Sequence, residues 1–260
     1  RGYAHKFYDG AQASAPTFHG ALEDADYAKK YPEVVTAYLR ASLEADRLIA
    51  AQPEKYSELI EKVTGIEAEV NYLFHGPLGL QTRDLTWKPE YRQAVATSID
   101  TLKLLKKTDR GLDTDKFIDD QYIRAAFKEA GLDYNKALKD YDPLPLKAND
   151  ALTGKPITDF SRLAQIWVRG EDKVRHYASP EAALGALAQL EQEGKDIRAI
   201  YAQAADSGIK LLANQAWFVR NAKGELAAFL LKDQAEQYAK AHGGEALDFV
   251  SANEKLVAQR

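Results

Sequence analysis

Between residues 24 and 140 the apolar positions recur every three or four residues, the period of a helix with one buried face. Val35, Tyr38, Leu39, Ser42, Ala45 and Ile49 fall in one such row while Glu33, Arg40, Glu44 and Arg47 take mostly other faces, and Pro32 stands where a first helical turn tolerates it. A second helix is predicted from Pro53 through the stripe Tyr56, Leu59, Ile60 and Val63, with Gly65 as its C-terminal cap, and a short third from Ile66 to about Phe74. His75-Gly-Pro-Leu-Gly-Leu breaks the period and predicts a loop. Helix resumes near Pro89 with Val95, Ile99, Leu102 and Leu105 in register. Another is predicted from a cap at Asp113 or Asp115 through Phe117, Ile118, Tyr122 and Phe127 to Gly131, with a short one to Lys139. Ahead of residue 24 the pattern is extended or turn-rich, with Thr17-Phe18-His19 as a short strand.

From residue 160 the pattern changes to alternating strand and helix, and it does so twice. Strands are predicted at Leu163 to Arg169 and Val174 to Tyr177, a helix at Pro180 to Glu193 and a strand at Ile197 to Tyr201. Strands at Gln215 to Arg220 and Glu225 to Leu230, a helix at Lys232 to Ala241 and a strand at Ala246 to Phe249 repeat that ββαβ order. Gln165-Ile-Trp-Val-Arg echoes Gln215-Ala-Trp-Phe-Val-Arg at a spacing of about 50 residues, which predicts a duplicated unit whose halves cover each other. Ser179-Pro180-Glu181 is a helix start, with a hydroxyl cap, a preset φ and an acid in the first turn. The fold class is therefore α/β overall: a helix-rich segment followed by an α+β domain of two ββαβ units. Asp142-Pro-Leu-Pro145 and the turn residues through Pro156 place a linker at 143–157, between domains at 1–142 and 158–260.

Composition narrows the function. A net charge of -4 provides no basic field for nucleic acid or anionic membrane, and no apolar stretch approaches the roughly 20 residues of a membrane helix. With no Cys and no Met, the chain lacks disulfides, thiolate and thioether ligands and a cysteine nucleophile. A start at Arg1 without Met reads as a processed or incomplete chain.

Two family resemblances rest on particular residues. Phe7-Tyr-Asp-Gly-Ala through Pro16-Thr-Phe, Asp26-Tyr-Ala-Lys-Lys-Tyr-Pro-Glu-Val-Val, Glu44-Ala-Asp with Gln52-Pro-Glu, and Phe117-Ile-Asp-Asp-Gln-Tyr-Ile come in an order and spacing that carry the first. On them, residues 1 to 140 resemble the C-terminal half of the nitrate, sulfonate and taurine class of ABC-importer solute-binding proteins. That resemblance implies part of a type II periplasmic-binding-protein lobe in an exported, periplasmic protein. It also implies capture of a small anionic solute and delivery to an ABC permease, with the missing N-terminal lobe or another chain completing the first domain. The second resemblance rests on Phe160 to Ile166, the Ile200-Tyr to Asp206 turn, Ala216-Trp-Phe-Val, and Gly224 to Phe249. There, residues about 146 to 250 resemble the NosL family of copper-binding accessory proteins. That resemblance implies the alternative function, a metal-handling accessory protein with its active part in the C-terminal domain. At the family's ligand positions, however, this chain has Asp150, Thr153, Lys155, Lys223 and Glu225, and carboxylates, a hydroxyl and ammonium groups do not suit Cu(I).

No catalytic constellation is legible. There is no Gly-x-Ser-x-Gly, no phosphate-cradling glycine loop opening a helix and no His pair at helical metal spacing, so no enzyme activity, metal or cofactor is predicted. His176 and His242 read as structural. Ligand-binding candidates are Tyr8, Asp9 and Gly10, a turn that in the importer family faces the ligand; His19 and His75, which lie beside glycines; and Trp87, near Arg83. Asp150 with Lys155, and Glu225 with Lys223, are expected to form ordinary surface ion pairs.

Overall fold

The computed structural model describes residues 20–81, 83–141 and 144–257. In chain order the helices of the first part are α1 (Ala25–Lys30), α2 (Pro32–Ala51), α3 (Pro53–Thr64), α4 (Ala68–His75), α5 (Pro89–Leu104), α6 (Thr114–Phe117), α7 (Gln121–Glu129) and α8 (Tyr134–Lys139). Then follow β1 (Ala164–Val168), β2 (Arg175–Tyr177), α9 (Pro180–Gln192), β3 (Ile197–Gln203), β4 (Lys210–Leu212), β5 (Trp217–Arg220), β6 (Leu226–Phe229), α10 (Lys232–His242), β7 (Glu245–Asp248) and α11 (Phe249–Val257). The chain is thus mixed helix and sheet, and none of the described helices is long and apolar enough to cross a membrane.

Two compact units result, and the division is not linear. One comprises Arg1–Asp46 with Asp84–Asp142; the other comprises Arg47–Arg83 with Pro143–Arg260. The boundary expected at 143–157 is therefore one of three crossings, because the segment holding α3 and α4 folds with the C-terminal sheets.

In the first unit Leu43, Ile123, Ala126, Phe127, Tyr134 and Ala137 form the core, with Leu39, Trp87 and Tyr141 packed against it. Phe127 and Tyr134 meet edge to face at 5.2 Å, and the Tyr141 hydroxyl donates to the buried Asp46 carboxylate at 2.5 Å. The single helix expected from about 113 to 131 is two. Asp113 caps α6, accepting from the Lys116 amide at 3.3 Å, but Ile118 is extended at φ -91°, ψ 106° and buries its side chain instead of continuing the turn. Tyr38, Leu104 and Leu105 remain exposed.

In the second unit all strand pairs are antiparallel, in a four-stranded sheet of order β2-β1-β3-β4 and a three-stranded sheet of order β6-β5-β7. Both halves thus share the order ββαβ with the first strand central. The echoing strings are nevertheless not equivalent. Tyr177 and Phe229 each end the second strand two residues before their helix cap, and they pair with Ala164 and Trp217 respectively. Trp217 thus corresponds to Ala164, whereas Trp167 lies three residues further on. Strand β4 and helix α11 were not predicted; α11 begins at Phe249, the position expected to end the last strand. One core takes residues from both halves: Ala164, Ile166, Val168, Leu184 and Leu187 from the first, and Phe218, Leu226, Ala228 and Leu247 from the second, with Ala252 of α11. The expectation that the halves cover each other holds for this face.

Candidate functional site

Side chains alternate across a strand, so β1 presents Ala164, Ile166 and Val168 to that shared core and Gln165 and Trp167 to the opposite face. Register extends the second face. His176 of β2 and Tyr201 of β3 flank Gln165, and Gln203 of β3 pairs with Lys210 of β4. The face is thus polar and aromatic, and the α3–α4 hairpin covers it.

The hairpin is shaped for that position by its termini and its glycines. Gly65 ends α3 at φ 74° with its N–H on the Glu61 carbonyl, as a left-handed cap requires. After α4, a Cβ on Gly76 would come within 2.5 Å of the Tyr72 carbonyl, so only glycine lets the chain turn back this closely. The buried positions of α3 are Pro53, Glu54 and Ser57, while Leu59 and Val63 of the predicted apolar stripe are 48% and 78% exposed. Tyr56 and Ile60 of that stripe are half-buried, so tertiary packing has rotated the expected face of this helix rather than kept it.

Tyr72 is the anchor. Its ring is fully buried, 5.4 Å from Trp167 and 5.3 Å from Tyr201, and Lys210 Nζ lies 4.3 Å from its centroid. Gln165 Nε2 donates to the Tyr72 hydroxyl at 3.0 Å and reaches His176 Nδ1 at 3.0 Å. An amide nitrogen has two protons and accepts nothing, so His176 must offer a lone pair there, as a neutral ring does. Burial lowers the His176 pKa in the same sense, followed by the opposing effect of Glu54 and the repulsion of Lys210 and Lys173. From α3, Glu54 accepts from the Val174 amide at 2.9 Å and from Lys173 Nζ at 3.3 Å. Tyr201 donates from its hydroxyl to the Glu69 carbonyl at 2.9 Å.

Three buried polar atoms in this cluster have no hydrogen-bond partner: Lys210 Nζ, Gln165 Oε1 and Gln203 Oε1. Burial pushes the Lys210 ammonium down to about 7, against a partial restoring effect of Glu54. Burial raises the Tyr72 and Tyr201 phenols above their usual range.

At the edge of the cluster Arg198 of β3, its side chain 7% exposed, binds three hairpin carboxylates: Glu58 at 3.1 Å, Glu61 at 2.6 Å and Glu69 at 2.9 Å. Its guanidinium also stacks over Trp167 at 4.8 Å. Burial alone favours loss of its proton, but the bonds from Glu69 and Glu61 outweigh that and hold it charged. The hairpin is therefore attached through a buried aromatic cluster flanked by charge and hydrogen bonds.

The two ion pairs expected near the family's ligand positions are not what these residues do. Asp150 is buried and caps its own loop, accepting from the amides of Leu152, Thr153 and Ala178 and from the Thr153 hydroxyl. Burial pushes its pKa up, and these bonds overcome that and hold it below the usual carboxylate value. Glu225 accepts from Asn221 Nδ2 at 2.6 Å. Among the described residues no group of three or more His, Asp or Glu is placed to hold a metal ion.

Of the predicted ligand-binding residues, Tyr8, Asp9, Gly10 and His19 lie outside the described residues. His75 ends α4 in the second unit, where its carbonyl accepts from the Arg83 guanidinium. Trp87 belongs to the first unit, packed against that unit's core with its amide donating to the Tyr134 hydroxyl at 3.0 Å. The structure gathers a different set: Tyr72, Gln165, His176, Tyr201, Gln203 and Lys210. The signal that was available for them is a Gln or Lys inside each of three otherwise apolar strands, Leu-Ala-Gln-Ile-Trp-Val, Ile-Tyr-Ala-Gln and Ile-Lys-Leu-Leu.

No protein-family profile matches this chain, and no curated protein matches it. It is similar to one solved structure, described as the crystal structure of the copper chaperone NosL from Shewanella denitrificans, at 21% identity and a TM-score of 0.34 over 39% of this chain and 87% of that one. The importer resemblance of residues 1 to 140 finds no support in these comparisons.

Proposed function

We propose that this chain is a non-enzymatic accessory protein whose second compact unit is the active part, its working surface being the polar face of the four-stranded sheet beneath α3 and α4. The observation that carries this reading is Lys210: an amine with no exposed surface and no hydrogen-bond partner, on a sheet face that also holds two unpartnered glutamine oxygens. Each buried unpaired polar group costs about 1–3 kcal/mol, a composition ill suited to a permanently closed core. A surface that also works open has reason to keep such groups.

The accessory part of a metal-handling role is retained here, and its copper chemistry is not. Cu(I) prefers sulfur and imidazole donors, the chain has neither Cys nor Met, and of the residues at the expected ligand positions Asp150 caps its own loop and Glu225 accepts from Asn221. Competition with a chromogenic chelator should show no Cu(I) retention above background by the full chain; stoichiometric retention lost on Asp150→Ala would refute this. Importer function, in which a periplasmic protein hands a small anionic solute to an ABC permease, rests on sequence resemblance and requires binding to appear when a complementing lobe is supplied.

The working surface itself is tested by reductive dimethylation of the intact chain, read at Lys210 by peptide mass spectrometry. Slow modification that accelerates under conditions loosening the hairpin is expected. A Lys210 that stays unmodified under every condition in which the chain remains folded would remove this face from function.

A further inference from the structure

The hairpin and the face it covers carry opposite charge. Glu54, Glu58, Glu61 and Glu69 lie on the hairpin; Arg198, Lys173 and Lys210 lie on or beside the sheet. We infer that the sheet face is a docking surface for an acidic helical segment of a partner chain bearing an aromatic residue, and that the hairpin is its intramolecular occupant, displaced when the partner binds. This rests on the reading that the second unit is the active part.

Three features support exchange over permanent closure. Around the aromatic patch of Tyr72, Trp167 and Tyr201 the attachment is polar, through Arg198, Glu54 and the Tyr201 hydroxyl, and such contacts are readily replaced by equivalent ones from another chain. Its large aromatic anchor is one residue, Tyr72, seated between Trp167 and Tyr201 in the manner of an interface hot spot. The fit is also incomplete. Lys210 Nζ faces the Tyr72 ring without a hydrogen-bond partner, so a partner carrying a carboxylate beside its aromatic ring would complete a pairing that the hairpin leaves open. Meanwhile the hairpin turns Leu59, Val63 and Ile66 outward, and its apolar contact with the sheet is made by Ala68, Tyr72 and Leu73 of α4.

The test uses two readouts on the full chain. First, Lys210 dimethylation is compared at low salt and at about 0.5 M salt, where screening weakens the Arg198 contacts; acceleration of about fivefold or more is expected. Second, a labelled peptide of residues 52–76 is titrated onto two chains with weakened hairpins, the triple variant Glu58→Gln, Glu61→Gln, Glu69→Gln and the single variant Tyr72→Ala. Both are checked for native circular dichroism, and either one suffices if the other fails to fold. The peptide should bind in a salt-sensitive manner, and its Tyr72→Ala version about tenfold or more weaker. Peptide binding that survives Arg198→Ala in the receiving chain, or no binding where Lys210 is readily modified, would overturn the docking inference while leaving the open surface intact. Salt-independent protection of Lys210 would instead defeat the reading beneath it. Dimers of the weakened chain, formed by exchange of hairpins, would make the occupant a second copy and overturn the assignment to a partner chain.

Discussion

The two ββαβ halves of the second unit share their strand order and the position of their helix, yet they differ in what lies on the sheet face away from that helix. In the second half α10 covers Trp217 and Val219, and the far face gives Phe218 and Leu247 to the shared apolar core. In the first half α9 covers Ala164, Ile166 and Val168, and the far face carries Gln165, Trp167 and Tyr201 with Gln203 and Lys210. One sheet is dry on both sides; the other is dry on one side and polar on the other. Topology therefore does not decide which sheet face is polar. Composition at alternate strand positions does, because a one-residue shift in which positions are apolar moves a whole set of side chains from one face to the other.

The largest test of that difference removes the cover. A fragment of residues 146–260 retains both sheets and loses α3 and α4, exposing Trp167, Tyr201 and Ala199. At about 1.5–3 kcal/mol for each large side chain returned to water, the loss from Trp167 and Tyr201 should reach about 3–6 kcal/mol. Denaturant titration and acrylamide quenching of Trp167, with Trp217→Phe to isolate its signal, check this. A fragment as stable as the intact chain, with Trp167 still shielded, would mean that the hairpin contributes nothing to the fold.

Single substitutions should then separate the faces. Phe218→Ala in the dry half empties a fully buried site and is expected to cost about 3–5 kcal/mol. Gln203→Leu on the polar face removes an unpaired oxygen and should change stability by less than about 1 kcal/mol in urea titration. Equal losses at the two sites would erase the contrast.

A third test uses protons. The folded Lys210 value of about 7 lies below its ordinary 10.5, so between those pH values the unfolded chain binds more protons than the folded one. Stability should therefore rise with pH across that window, by a few kcal/mol at about 1.4 kcal/mol per pKa unit, and Lys210 should contribute no slope well below pH 7. Lys210→Met should flatten the window. His176, lowered from 6.5, adds a loss of stability as pH falls below that value, and the raised phenols of Tyr72 and Tyr201 add a loss above pH 10.0. A slope that Lys210→Met leaves unchanged would assign the titration elsewhere.

The smallest effect is expected at Arg198. Arg198→Gln leaves Glu69, Glu61 and Glu58 without their cation, but Glu58 and Glu61 are 44% and 36% exposed, so water takes over much of the solvation. A loss of about 1–3 kcal/mol, shrinking as salt is added, is expected from chemical denaturation, below the 3–5 typical of fully buried pairs.

Much of the secondary structure was legible because it depends on near neighbours. Pro32, Pro53 and Pro89 open helices, Gly65 closes one, and Ser179 caps α9, accepting from the Ala182 amide. The strand order of both halves followed from the same local patterns. What failed was decided by distance along the chain. Periodicity places Tyr56, Leu59, Ile60 and Val63 on the buried stripe of α3, yet Leu59 and Val63 are exposed, because the surface that α3 meets lies more than 100 residues away and carries Arg198 and Lys173, which favours Glu54, Glu58 and Glu61 facing it. Proximity in sequence pairs Asp150 with Lys155, whereas amides brought together by the loop and by Ala178 offer it more hydrogen bonds than a surface ammonium does.

By itself, then, the sequence determined where helices start and stop, which strand residues alternate, and which chemistry is missing, since a chain without sulfur builds no thiolate or thioether site. Only the tertiary structure decided that α3 and α4 belong to the sheets that follow, and that Tyr72, Gln165, His176, Gln203 and Lys210 form one cluster. Periodicity reports that a face will be covered and is silent on what covers it; that choice depends on contacts between segments far apart in sequence, where charge complementarity and the shape of one tyrosine outweigh local preference.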